Sequence, residues 1–394
     1  MSASRPSTAS TKHLKPCDQE TLLTLHRALF GSERDFPPPW SQQGFTFREK
    51  GLLCGLRQHA GGPCGVLAVV QAMLIRQLAI KGSGQGSDAL STSRESAAAA
   101  LLDCLAGIIW STRVGRMAQV AMCKAQELPP MREAAEYIRI TECKSEADVR
   151  EALQAAAGSY VRPRGGGVAL LLYSVLLTRG VAMVARDADF PSSLILPNGY
   201  CSQELVNLLL IGRGFSNVFD GERTVGGEGG DGEGTRLRGI PRRAPIGFLT
   251  LFERQGSLLH QSGERGDTGL VKVGSNYKRP LAPVYVVQSE AHYSVLWLAS
   301  EANPELTDPD EQVLYGDGAE DSLPPLHEPE PELAQGASFD AFYFDQMAEN
   351  DEAVRLTIRR RTGPPPAHPV PLENVVLTRW PAADVDWNGS EVLL

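Results

Sequence analysis

Residues Arg57 to Gln71 read RQHAGGPCGVLAVVQ. Two glycines and a proline lead into Cys64, and Cys64 opens an apolar run with helical spacing. Pro63 lacks the N–H that a helix start leaves unpaired anyway, and its φ is already set for helix. The spacing predicts a helix over 64–80, ended by the Gly/Ser segment KGSGQGS at 81–87. Cys64 then falls in the first turn, where free amide N–H groups and the helix dipole stabilise a thiolate. A packing cysteine needs no such setting; a nucleophile does. Gly61 and Gly62 leave the space above the sulfur open and let an extended substrate pass close to the backbone. Gln58, six residues upstream, offers a side-chain N–H that, with the Cys64 amide, would form an oxyanion hole.

A thiol nucleophile needs a base. Of the seven histidines, His13, His327 and His368 fall in segments without helix or strand patterning, and His26 lies on an early helix. His59 sits in the cysteine loop itself, too near in sequence to face the sulfur well, and His260 stands in LLHQSG. His292 opens AHYSVLWL, whose alternation puts His292, Ser294 and Leu296 on one face. A histidine at a strand end is held rigidly yet reachable, which suits a general base. Asp345 closes the next apparent strand, FYFD, and leads Asn350 as the group that orients the imidazole. The order Gln, Cys, distant His, polar residue is that of papain-like cysteine proteases. Taken singly, a cysteine beside a Gly-Pro turn is more often plain packing and a strand histidine more often a satisfied core residue. The two together carry the catalytic reading.

The remaining composition is that of a soluble globular chain. Of 394 residues, 42% are hydrophobic and 22% charged, enough for a sizeable core. The net charge of −9 is uneven: ten Asp or Glu and no Lys or Arg lie between Ala302 and Gly336. Set those ten aside and 37 acidic residues face 38 basic ones, so the charge describes an insert and does not imply a basic partner. No basic stripe marks a nucleic-acid binder. Seven cysteines, an odd number with no CxxC pair, argue for reduced thiols in the cytoplasm or nucleus and against a disulfide frame or structural zinc. The start MSASRPSTASTKHLKP has no apolar signal region, and the longest apolar runs are too short for a bilayer.

Helix patterning dominates the first half, at 21–30, 64–80, 95–109, 146–156 and 203–211, with an alternating strand at 136–143. Strand patterning dominates the second, at 246–252, 284–287, 294–298 and 341–344. Val168–Leu177 is uniformly apolar, and periodicity does not decide it. The order implies an α+β protein. It reads as an unstructured start over 1–17 and one domain over 18–394, with flexible inserts at about 81–94, 221–239 and 302–336. Gly212-Arg213-Gly214 lacks the third glycine and lysine of a phosphate loop, so Asn217 and Asp220 read as makers of turn hydrogen bonds. Trp387 reads as part of a packed turn, with contact to a partner as the alternative.

The stretch GLRQHAGGPCGVLAVVQAMLIRQL resembles the cysteine segment of the MINDY family of deubiquitinases, in particular the branch of its fourth member. The likeness extends to WSQQGFTF, SQELVNLLLIGRGFSNVFDG, VGSNYKRPLAPVYVVQSEAHYSVLWL, FDAFYFDQMAENDEAVRLTI and WPAADVDWNGSEVLL, from about residue 38 to 394. The resemblance implies a papain-like fold and a thiol hydrolase of the isopeptide bond after the C-terminal glycine of ubiquitin. It also implies preference for lysine-48-linked chains and no metal or organic cofactor. Carried over by motif, Cys64 is the nucleophile, His292 the base and Gln58 the oxyanion donor; no motif identifies the orienting acid. His59-Ala60 and the two long inserts depart from the family pattern, and no ubiquitin-interacting helix is evident near the end. A ubiquitin-binding scaffold without activity, or a thiol enzyme acting on a ubiquitin-like modifier, remains as an alternative. The mobile segments also suggest that Cys64 is held apart from His292 until ubiquitin binds.

Overall fold

The computed structural model describes residues 14–81, 90, 92–225, 234–254, 272–299, 333, 335–364 and 370–390. A short edge strand β1 (Leu14–Pro16) leads into helix α1 (Gln19–Phe30), which Asp18 caps by accepting the Thr21 N–H and Gly31 ends in the left-handed conformation. Cys17 is buried and Leu14–Pro16 pairs with a strand, so the expected unstructured start over 1–17 is corrected at its end. Backbone pairing there outweighs the Ser/Thr/Pro-rich composition. Pro38 starts the single turn α2 (Pro38–Ser41), since proline is tolerated in a first helical turn.

Two long helices follow, α3 (Cys64–Lys81) and α4 (Arg94–Ser111). Val66 to Val70 of α3 are fully buried, so this helix is apolar on all sides and runs through the core. Strands β2 (Ala118–Cys123) and β3 (Ile138–Cys143), with the turn α5 (Met131–Ala134) between them, join β1 in a three-stranded antiparallel sheet of order β1-β3-β2. Helix α6 (Glu146–Ala155) starts on a capping box: Ser145 Oγ accepts the Asp148 N–H, and Asp148 accepts the Ser145 N–H. After α7 (Ala157–Val161) comes α8 (Gly167–Arg179), which resolves the ambiguous run Val168–Leu177 as a buried helix. Ser174 Oγ of α8 accepts the Ala121 N–H at 2.9 Å, fixing the helix across the small sheet.

Helices α9 (Val181–Asp187) and α10 (Gln203–Ile211) complete this half. The glycine-rich insert read at 221–239 is bounded by a hairpin, β4 (Glu222–Val225) with β5 (Thr235–Arg238), and its centre lies outside the described residues. So do most of the acidic insert and the segment after α3. Asn217 and Asp220 make long-range bonds rather than the local turn bonds expected of them. Asn217 Nδ2 donates to Asp189 and to the Arg238 carbonyl, and Asp220 accepts the N–H groups of Ser275 and Asn276.

The second half forms the main sheet: β6 (Gly247–Thr250), then the turn α11 (Ser275–Lys278), β7 (Val284–Ser289), β8 (His292–Leu298), β9 (Ser338–Phe344), β10 (Val354–Arg360), helix α12 (Pro371–Arg379) and β11 (Ala383–Asp386). Its order is β11-β10-β9-β8-β7-β6, antiparallel throughout except for the parallel pair β6–β7. Alternation sorts the two faces. Tyr293, Val295 and Trp297 pack into the large core with α3, whereas Leu296 joins Tyr343, Leu356 and Leu372 in a second core under α12. The molecule is therefore α+β, with α3 laid against β7 and β8.

Candidate active site

The first i→i−4 bond of α3 runs from the Leu67 N–H to the Pro63 carbonyl, so Cys64 is the first helical residue. The helix supplies no acceptor for the amide N–H of such a position. Cys64 Sγ lies 3.8 Å from the carbonyl oxygens of both Gly62 and Ala291, and the side chain is 1% exposed. Ala291 belongs to the two-residue turn of the β7–β8 hairpin, where Ser289 pairs with His292. Glu290 takes φ 54° in that turn, a left-handed conformation that a non-glycine residue holds only under local strain. The hairpin thereby delivers His292 to the start of α3.

Asp345 follows β9. In the β8–β9 register Val295 pairs with Phe344, so one further step sets Asp345 opposite Ser294 and diagonal to His292. Asp345 Oδ2 lies 2.9 Å from His292 Nε2, while Oδ1 accepts the Met347 N–H at 2.8 Å. The Nε2 contact is an ion-pair distance without an aligned hydrogen bond. Burial alone would lower the His292 pKa, but the neighbouring Asp345 and Cys64 outweigh it and raise the pKa to about 10. These neighbours thus favour the charged imidazole, which makes His292 a stronger acceptor for a thiol proton. Cys64 is among the groups that raise the imidazole, while the hydrogen-bond contacts of its sulfur are the Gly62 and Ala291 carbonyls.

Gln58 is buried, and its backbone N–H donates to the Gln346 carbonyl at 2.9 Å. Its Nε2 donates to the Ala60 carbonyl at 2.8 Å, and its Oε1 has no partner. One Nε2 hydrogen remains for an oxyanion. Of the two glycines expected to leave open space, Gly61 does so and Gly62 does not. A side chain at Gly61 would meet nothing within 4 Å, so that position is open. At Gly62 a Cβ would lie 2.8 Å from Trp40 Nε1, and φ is 128°, so glycine is required there by packing and conformation.

Several residues of the site were not singled out from sequence. Trp40 Nε1 donates to the Gly199 carbonyl and covers Gly62. Gln43 accepts the His59 N–H and donates to the Arg57 carbonyl, bracing the cysteine loop from both sides. Cys201 lies against Gly65, where a Cβ would sit 2.8 Å from its sulfur. Burial and the neighbouring Cys64 push the Cys201 thiol well up. Two glutamines set between the aromatic Trp40 and Phe45 are the signal that sequence offered for the brace. Of the other candidates, His59 bonds Thr46 Oγ1, Asn350 accepts the Glu352 N–H in a local turn, and His260 lies outside the described residues. Trp387 Nε1 donates to Glu373, as a packed turn requires. Among the described residues no His, Cys, Asp and Glu cluster could hold a metal, and no single helix is long and apolar enough to cross a membrane.

A thiol, an imidazole and a carboxylate thus meet at one end of the main sheet, with an amide donor beside them. Comparison with known proteins bears on what this arrangement serves. Residues 26–313 match the family model described as deubiquitinating enzyme MINDY-3/4, conserved domain. The chain is 33% identical to the probable ubiquitin carboxyl-terminal hydrolase MINDY-4 of Mus musculus, and 32% identical to that of Homo sapiens, over 96% of its own length and 47% of theirs. It is 31% identical to the ubiquitin carboxyl-terminal hydrolase MINDY-3 of Xenopus tropicalis over 70% of its length and 63% of the relative's. The chain thus spans about half the length of the MINDY-4 relatives it matches. No solved structure matches it. With the family domain covering most of the chain around Cys64 and His292, the protein belongs to the MINDY family of deubiquitinating enzymes.

Proposed function

We propose that the protein is a cysteine deubiquitinase, with Cys64 as nucleophile, His292 as general base and acid, Asp345 as the orienting carboxylate and Gln58 as oxyanion donor, in a papain-like arrangement. The observation that carries this is that the hairpin sets Ala291 3.8 Å from Cys64 Sγ at the start of a core helix and the next residue, His292, 2.9 Å from Asp345. The Cys64 proton passes to His292 and the thiolate attacks the carbonyl carbon of the ubiquitin C-terminal glycine. Gln58 Nε2–H and the Cys64 amide stabilise the oxyanion. The imidazolium then protonates the departing lysine amine, leaving a thioester. Water, giving its proton to His292, attacks the thioester, and the returned proton regenerates the thiol. The open position over Gly61 supports passage of a tail without side chains.

The substrate is ubiquitin in polyubiquitin chains, with lysine-48 linkage preferred as the family resemblance implies. The seven cysteines, free and buried, support work in a reducing compartment, the cytoplasm or nucleus. A second reading, a ubiquitin-binding scaffold without turnover, is favoured by one feature: Cys64 is almost fully covered. Incubation with chains of defined linkage decides between them. Release of monoubiquitin from lysine-48 chains, lost in Cys64→Ala, is expected of the enzyme. Binding of those chains without cleavage would establish the scaffold.

A further inference from the structure

Arg48 lies between the chain entry and the cysteine loop and is 5% exposed. A buried guanidinium is costly unless its donors are matched, and the partners of this one share a single address. Nη1 reaches Asp351 Oδ1 at 3.0 Å, and Nη2 reaches the carbonyl oxygens of Asp345 at 3.2 Å, Gln346 at 3.1 Å and Ala348. The guanidinium also stands 5.5 Å over the Phe344 ring. All these groups lie in or beside the loop that follows β9. Its own backbone ties Arg48 to the cysteine side, because the Arg48 N–H donates to the Gly55 carbonyl and the Arg57 N–H to the Thr46 carbonyl.

That loop has two tasks. It carries the Asp345 carboxylate to His292, and the Gln346 carbonyl that Arg48 grips is the acceptor of the Gln58 N–H. Without the cation, three carbonyl dipoles would converge on one another, and the loop would relax away from both partners. We propose that Arg48 is a positioning residue that sets the orienting carboxylate and the oxyanion donor together through the Asp345–Asp351 loop. The inference rests on the roles given above to Asp345 and Gln58.

The test uses Arg48→Lys, which keeps a positive charge but loses the planar fork, beside Arg48→Ala, Asp345→Asn and the Arg48→Lys/Asp345→Asn double variant. Hydrolysis of ubiquitin carrying a C-terminal aminomethylcoumarin is followed against pH, with thermal melting as the check on folding. A misplacement of about 1 Å at a reacting group costs on the order of 10²-fold. Arg48→Lys is therefore expected to lower kcat by roughly 10–100-fold with KM changed by less than about threefold. Its alkaline limb should move down, because Asp345 and Cys64 are the groups that raise His292. The double variant should lose less relative to Asp345→Asn than Arg48→Lys loses relative to the native protein, since the part that passes through Asp345 is already gone and only the part through Gln58 remains. Wild-type kcat and limb in Arg48→Lys, or losses that multiply in the double variant, would overturn the proposal. If ubiquitin is not turned over at all, the role in hydrolysis fails separately. The pH dependence of Cys64 alkylation by iodoacetamide, read by peptide mass, then still tests Arg48: an upward shift of thiolate formation in Arg48→Lys upholds it and an unchanged profile refutes it. Should Arg48→Ala fail to fold, the lysine variant carries the result.

Discussion

Two charged pairs in this molecule are built in opposite ways. Arg179, at the end of α8, meets Asp187, at the end of α9, through two parallel bonds of 2.8 and 2.7 Å, with the side chains 2% and 4% exposed. The carboxylate also accepts the Gly214 N–H, so three hydrogen bonds hold it. His292 and Asp345 share one contact of 2.9 Å at a sheet end, 28% and 17% exposed, and the ring nitrogen lacks an aligned bond. Beside them Gln58 Oε1 and both polar atoms of the Gln346 amide have no partner. A bidentate pair fixes two helices. An unsaturated one leaves hydrogen-bonding capacity for a reaction, at a cost in stability. The contrast predicts that the first pair governs folding and the second governs rate.

The sharpest break is His292→Ala. It should lower hydrolysis by on the order of 10³–10⁴-fold, as for other members of nucleophile–base pairs, with the melting temperature nearly kept. Next comes Asp187→Ala, which strands a buried guanidinium and should cost about 3–5 kcal/mol in denaturant unfolding. Its turnover per folded molecule should match the native protein; a loss there would mean that the two pairs are not independent. Gln58→Ala removes one oxyanion donor and should slow kcat by roughly 10²–10³-fold, with KM and stability little changed. Among the changes at the site, Asp345→Asn should have the smallest effect on peak rate and show itself in the pH profile. Because His292 is raised from the ordinary 6.5 to about 10, its favourable charge is fully present below pH 6.5 and lost as pH rises through about 10. Removing the Asp345 charge lowers that upper limit, so both the alkaline limb of activity and the alkaline edge of stability move down. A limb that stays near 10 would assign the shift to Cys64 alone.

What sequence could show was set by how local each signal is. The helix at Cys64 and the strand at His292 announce themselves through periods of 3.6 and 2, and Ser145 marks its helix by capping. Val168–Leu177 was undecidable because a helix buried on every side has no polar face to set its period. Val354–Arg360 alternates apolar and polar residues and is legible, although the expected strands stop short of it. β2 is weak because AQVAMC carries small residues and little alternation. Cys64, His292 and Gln58 were within reach because each sits in a suggestive local setting, and Asp345 because it ends a strand. Arg48 and Gln346 were not, since the contact that gives them meaning joins positions 298 residues apart.

The most direct measurement is intact mass after incubating the protein, and a Cys64→Ala variant, with ubiquitin bearing a C-terminal propargyl amide. The account predicts a single ubiquitin adduct on the native chain and none on the variant. An unmodified native chain that still binds lysine-48-linked ubiquitin, or an adduct that survives loss of Cys64, would contradict it.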